Sequence, residues 1–330
     1  MLAILSLLTL SLSQSTTAPV PQPYRWANVV IGSETGKDVI DLVSPREGSH
    51  LISGFRGIGG FTHFDLNHGP AKTTADAKLD DTESLSWAVD CPLLVARAGK
   101  GASQNGQYTD DGGATWNGFA AEPPEARGGS IVFNSTAQVL VWSTGGSTWR
   151  SFDFGKSWNK SQGLTGNADL VADGVTPTRT YALSGSKLYS SDDTGGSFQP
   201  VASVGLPTEH ERMRATEYQV GDLWLPSHIG LFHSTDAGKL FEKLPHIDSA
   251  ESVGFGKPPT GKRYPTLFIS GQIDGTVGVF RSDDEGQTWT RISNPSNPNT
   301  VHGVVTGDSR IYGRVYVGTK GQGIWYGDPK

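Results

Sequence analysis

The chain has 330 residues and a net charge of −6, and hydrophobic residues make up only 35% of it. With 43 glycines, that composition suits many short strands joined by tight turns rather than long helices. No basic run stands out, so nucleic acid is excluded as the expected partner: neutralising phosphates needs clustered Lys and Arg.

In chain order, the first stretch, MLAILSLLTLSLSQ, is apolar and uncharged. It is too short to span a bilayer and reads as the core of a secretory signal peptide. Cleavage is expected between Ser13 and Ala18, which leaves residues 19–330 as a single extracellular domain. No other segment is long and apolar enough to cross a membrane, so no membrane association is expected. Acceptor motifs for N-glycosylation at Asn134 (NST) and Asn159 (NKS) fit secretion.

Next comes Tyr24-Arg25-Trp26-Ala27-Asn28-Val29-Val30, a strand-like segment with nothing before it to pair with. The runs DVIDLV, SHLISGF and GGFTHFDL then make one unit of short strands. Cys91 follows in the apolar run WAVDCPLLVA; a single cysteine cannot form an internal disulfide and reads as a small buried hydrophobe.

The central stretch repeats. The pattern S/T-x-D-x-G-x-x-(W/F) occurs at Thr109-Asp111-Gly113-Trp116, Ser151-Asp153-Gly155-Trp158, Ser191-Asp193-Gly195-Phe198, Ser234-Asp236-Gly238-Phe241 and Ser282-Asp284-Gly286-Trp289. Its aromatic positions at 116, 158, 198, 241 and 289 lie 42, 40, 43 and 48 residues apart. Each copy suits a hairpin loop. The hydroxyl and carboxylate can bond backbone amides of the turn, Gly permits a backbone shape barred to other residues, and the ring tucks beneath. The pattern is the Asp box, and a residue recurring in every unit maintains the fold; Asp111, Asp153, Asp193, Asp236 and Asp284 are therefore assigned structural roles.

A last unit, HGVVTGD, GRVYVGT and GIWYGD, lacks a box and stops after three strands. Five boxed and two boxless units of about 40 residues predict an all-β, seven-bladed β-propeller with Asp-box repeats. The segment at 24–30 is expected to close the ring as the outer strand of the last blade, removing an open edge.

Beyond the boxes, the segments DLVSPREGSHLISG, GIGGFTHFDL, GDLWLPS, SVGFGK, GVFRSDDEGQTW and TGDSRIYGRVYVGTKGQGIWYGD resemble glycoside hydrolase family 74. They cover about residues 35–329 and look like the C-terminal propeller of a family whose members pair two propellers across a xyloglucan cleft. YRWANVVIG instead resembles the start of the family's N-terminal propeller. The resemblance implies an inverting cleavage of the xyloglucan backbone by two aspartates, one from each propeller, about 6.5–9.5 Å apart. The C-terminal propeller's aspartate lies in S-x-x-G-D-I-G-G-F. Here Ser53-Gly54-Phe55-Arg56-Gly57-Ile58-Gly59-Gly60-Phe61 puts Gly57 at that position and Arg56 beside it, so no catalytic residue is assigned.

The resemblance further implies a sugar-binding face. Trp142 and Trp224 are candidate stacking platforms, with core packing as the alternative, and Trp87 and Trp325 are further candidates. His63, Asp65 and Arg56 are placed beside the cleft; Asp65, Glu83 and Asp90 are candidate substitute carboxylates, each with an ordinary surface or turn role as the alternative. No cofactor is expected. No metal is expected either, because His63-x-Asp65-x-x-His68, the closest cluster, lacks a standard ligand spacing. Two readings remain open: a xyloglucan hydrolase missing its other propeller, or a non-catalytic xyloglucan-binding protein. In both, a second propeller domain or chain is a candidate partner.

Overall fold

The computed structural model describes residues 23–29, 36–70, 79–293 and 303–330; the signal segment expected at 1–18 and Val30 lie outside the described residues. The short apolar runs form strands grouped into seven sheets, and no helix occurs among the described residues. The first strand, β1 (Tyr24–Val29), stands apart in sequence from the sheet it joins. Blade one is β2 (Val39–Val43), β3 (Leu51–Phe55) and β4 (Gly59–His63). Blade two is β5 (Asp81–Ala88), β6 (Cys91–Lys100), β7 (Gly106–Thr109) and β8 (Asn117–Gly118). Blade three is β9 (Ser130–Phe133), β10 (Leu140–Ser143), β11 (Ser147–Ser151) and β12 (Asn159–Thr165).

Blade four is β13 (Asp169–Ala172), β14 (Thr180–Ser184), β15 (Lys187–Ser191) and β16 (Gln199–Pro200). Blade five is β17 (Arg214–Ala215), β18 (Leu223–Ser227), β19 (Gly230–Ser234) and β20 (Glu242–Lys243). Blade six is β21 (Ile247–Gly256), β22 (Thr266–Ile273), β23 (Thr276–Ser282) and β24 (Thr290–Arg291). Blade seven is β25 (Gly303–Gly307), β26 (Val315–Thr319) and β27 (Ile324–Pro329), with β1 antiparallel to β27 from Tyr24↔Pro329 to Val29↔Ile324. The molecule is a seven-bladed β-propeller.

The second strands β3, β10, β18 and β26 are buried at every residue. Each is covered on both faces by neighbouring blades, which is why LISGF and LVWS read as continuous runs rather than alternating patterns. The core is accordingly seven layers, one between each pair of adjacent blades. One layer joins the two ends of the chain: Val29, Tyr316 and Ile324 of blade seven pack on Val39, Leu51 and Phe55 of blade one. Fourth strands such as β8 and β20 have two residues each and sit at the exposed rim.

In all five boxes the hydroxyl donates to the carboxylate, as from Ser151 Oγ to Asp153 Oδ1 at 2.8 Å, and accepts from the glycine N–H, here Gly155 at 2.9 Å. Gly155 has φ +74°, and a Cβ there would lie 2.4 Å from Phe119 of the preceding blade, so both backbone shape and space require glycine. Trp158 meets Phe119 and Trp142 edge-on, and its indole N–H reaches Ala121 O at 2.9 Å. The box therefore fastens its blade to the one before it.

The Ser157 hydroxyl, then the Ser157 amide and the Ser151 hydroxyl, hold Asp153 down to about 2. The folded state thus binds this proton more weakly than the unfolded chain does, and the contribution is present above the ordinary carboxylate range and lost as pH falls towards 2. Acid titration of the protein is expected to lower its melting temperature below about pH 4. Asp153→Asn should make that acid limb shallower, and an identical limb would refute the assignment. Deleting residues 24–30 uncovers the edge of β27 and removes buried Tyr24 and Val29, at about 2 kcal/mol each. A fall in melting temperature of several degrees is expected by calorimetry; an unchanged melt would show that β1 closes nothing.

Candidate functional site

The strand directions place every loop on one of two faces. β3 runs antiparallel to β2 and ends at Phe55 opposite Val39, so the loop from Phe55 to Gly59 lies at the face where β2 begins. The boxes follow third strands, which run parallel to the inner strand, and therefore occupy the opposite face. The face at the starts of the inner strands carries Arg56 and Gly57, both exposed.

Gly57 has φ +81°, a shape that a glycine adopts without strain. A Cβ there would lie 3.3 Å from Lys37 Nζ. The loop docks on the start of blade two: Gly59 N–H donates to Asp80 O at 2.7 Å, and Gly57 N–H donates to Asp81 Oδ1 at 2.5 Å. A carboxylate thus reaches this loop from the neighbouring blade. Two residues on, Glu83 sits at a β-bulge between Thr82 and Ser84. The bulge turns its carboxylate to Lys100 Nζ at 2.5 Å and to the Gly129 amide of blade three at 2.6 Å.

At the centre of the face the channel opens into a cup of about 430 Å³. Its floor is an ion cluster joining blades far apart in sequence. Asp41, fully buried, accepts from Arg212 Nη1 at 2.5 Å, from Arg214 Nη2 at 2.6 Å and from the Leu85 amide at 2.9 Å. Burial alone would raise the Asp41 pKa, but Arg214 and Arg212 outweigh it and hold the carboxyl ionised below its usual range. Arg212 also donates to Glu83 O at 2.6 Å and lies 3.5 Å from Asp169. Below the floor a second cavity of about 150 Å³ runs on towards the box face.

Of the residues singled out from sequence, Arg56 and Glu83 lie on the cup's face. Asp65 and His63 do not: β4 ends at His63, opposite the start of β3, on the box face. His63 is buried against Ser53 Oγ at 2.9 Å, and burial pushes its pKa down to about 4, so it is a neutral core residue rather than a sugar contact. Asp65 caps its own turn, accepting from the Asn67 amide at 2.8 Å and pairing with His68 at 2.7 Å. Asp90 and Trp87 follow the course of β5 to the box face as well, where Trp87 flanks Arg46.

Two expectations are corrected outright. Trp142 and Trp224 have no solvent exposure, and their indole N–H groups bond Gly128 O and Tyr264 OH at 2.9 Å each. They fill inter-blade layers and cannot stack on a sugar. Asn134 is 4% exposed, and its amide bonds Thr136 Oγ1, Pro177 O and the Val139 N–H, which leaves no room for a glycan; Asn159 is exposed on β12. Trp325 is half-buried, with its indole N–H enclosed in protein.

Sequence reading passed over Asp81, Asp41, Arg212, Arg214 and Asp169. A signal existed: Arg212-Met213-Arg214 puts two cations around a fully buried Met at an inner strand, and Asp41 interrupts the run VIDLV. Trp142→Ala and Trp224→Ala are each expected to cost about 3–5 kcal/mol in denaturant unfolding. A variant as stable as the parent would return that ring to the list of surface residues.

No family model matches the chain. A xyloglucanase of a Paenibacillus species is 40% identical over 306 residues, covering 88% of this chain and 30% of that protein. A xyloglucanase of Acetivibrio thermocellus is 37% identical over 298 residues, covering 88% of this chain and 35% of that one. The crystal structure of the glycoside hydrolase family 74 xyloglucanase from Xanthomonas campestris superposes with a TM-score of 0.79 at 35% identity, over 90% of this chain and 44% of that chain. The chain spans about a third of the length of the curated relatives it matches. In sequence and in fold alike, this chain is a relative of the glycoside hydrolase family 74 xyloglucanases, with the extent of a single propeller.

Proposed function

We propose that this propeller binds xyloglucan on the face that carries Arg56, Gly57 and the central cup, and that it does so without cleaving the polymer at the rate of a complete two-propeller enzyme. The reading is supported by its relatives, whose names mark them as xyloglucanases. The observation that carries the non-hydrolytic part is the loop at 55–59, where a glycine held at φ +81° occupies the position that the family resemblance assigns to the acid. The nearby carboxylates have other partners: Asp81 the loop amide, Glu83 a lysine and an amide, Asp41 two arginines. General acid–base groups contribute about 10²–10⁴-fold each, so a face that lacks its own member of the pair loses much of the rate. We place the protein outside the cell, on the strength of the apolar leader-like segment at 1–14 and the exposed Asn159 sequon.

One observation favours a second reading. Asp81 Oδ1 lies 2.5 Å from Gly57 N, so a carboxylate does reach the loop, and a second polypeptide bearing the opposing group would complete a cleaving pair. Native gels containing xyloglucan, run beside a reducing-sugar assay, separate the two. Retarded migration with no release of reducing ends is the expected result. Gly57→Asp alone is expected to leave hydrolysis absent, because the new side chain takes a strained backbone position facing Lys37. Hydrolysis that appears only when a second propeller chain is added, and that Asp81→Asn abolishes, would establish the second reading in place of the first.

A further inference from the structure

We infer that Asn159 carries an N-linked glycan whose first sugar packs on the ring of Phe152, so that the glycan is a structural part of blade three. The inference rests on the extracellular reading given above and adds to it the modified residue, its contact and its effect on stability.

Asn159 opens β12 and is exposed, and its side-chain amide has no hydrogen-bond partner among the described residues. It stands directly opposite Arg150 of β11, so the two side chains leave the same face of the blade. Arg150 reaches along that face to the box of blade four, where Nη1 donates to Asp193 O at 2.7 Å. Its guanidinium lies 5.2 Å from the centre of the Phe152 ring. Phe152, one residue past the end of β11, is thus placed as a diagonal neighbour of Asn159, at about the 7–8 Å typical of such pairs. One N-linked pyranose spans that gap.

The surface supplies the reason for the contact. Phe152 is 54% exposed, and no Phe, Tyr or Trp among the described residues is more so. An apolar ring left in water costs free energy, and the C–H face of a pyranose is a flat apolar cover for it. Because the sugar is tethered to the same blade, packing it costs little of the freedom that a free ligand loses. Asn134, in the other acceptor motif, is 4% exposed, and its amide bonds Thr136, Pro177 and Val139, so it offers neither an opening nor a free ring.

The transfer is a substitution at carbon. Asn159 Nδ2 bonds to the anomeric carbon of a lipid diphosphate-linked oligosaccharide and loses one proton. The bond from that carbon to the phosphate oxygen breaks, and the lipid diphosphate leaves with the electron pair. The step must precede folding. The hydroxyl of the motif, Ser161 Oγ, is buried and donates to Gly195 O of blade four at 2.5 Å, so it can be read only before the two blades meet.

Secretion of the full chain from a eukaryotic host tests this, with occupancy read by peptide mass spectrometry and stability by thermal melts. The expected result is a glycan on Asn159, a melting temperature that survives trimming to the first N-acetylglucosamine, and a fall of about 2 °C in Asn159→Gln. In a Phe152→Ala background, Asn159→Gln should cost nothing further, because the platform is already gone. Phe152→Leu, which keeps apolar bulk without a flat ring, takes its place if the alanine variant does not fold. Equal losses with and without Phe152 overturn the inference, as does a loss on trimming as large as that in Asn159→Gln. An unmodified Asn159 in secreted protein overturns it while leaving the extracellular reading intact. A chain that the host retains overturns that reading, and the inference with it.

Discussion

Each blade of this molecule is a sheet with two apolar faces, and neither face can be left in water. That requirement makes the ring obligatory: blade one needs a neighbour on both sides, and its second neighbour lies at the far end of the chain. The layer of Val29, Tyr316 and Ile324 against Val39, Leu51 and Phe55 is where the two ends meet. β1 extends that junction by pairing with β27, and the Tyr24 hydroxyl reaches Gly313 O at 2.7 Å. Stability is therefore spread over seven similar layers, and the loss of any one opens the ring rather than a local corner.

Closure also divides labour between the two faces. On the box face, each box aspartate accepts from its own turn, with hydroxyl and amide donors holding Asp153 far below the ordinary range. On the other face, the inner strands begin around an opening, and the polar groups there come from different blades. Asp41 and its two arginines bind blades one and five across the channel, so one cluster both braces the ring and floors the cup. A buried ion cluster of this kind is weak grounds for stability in itself, since desolvation offsets much of the attraction. Its clearer effect is geometric: it fixes how blades one and five meet across the channel.

In the function proposed above, the face is also where this chain departs from the pattern that the family resemblance implies. A glycine stands at residue 57, and the loop around it is anchored by Asp81 of the next blade rather than presenting a carboxylate of its own. Glu83, turned by a bulge, is committed to Lys100 and Gly129. Under that proposal, a surface rich in acceptors whose acids are already paired holds hydroxyl groups better than it protonates a glycosidic oxygen.

Five boxes at a spacing of 40-odd residues, with two boxless runs of short strands beside them, determined the seven blades, because few other architectures satisfy such a repeat and periodic patterns survive without knowledge of distant contacts. The unpartnered strand at 24–29 was legible for a related reason: a strand needs a ladder, and the last unit stops after three strands. Site residues were a different matter. Trp142 and Trp224 look like any surface tryptophan beside a turn, and only the packing of adjacent blades buries them. His63 and Asp65 sit six and eight residues after Gly57 and yet emerge on the opposite face, because one strand of five residues carries the chain across the blade. The floor of the cup joins residues up to 173 positions apart, as between Asp41 and Arg214. No local pattern encodes such a contact; it exists only because the ring brings the first and fifth blades to a common axis.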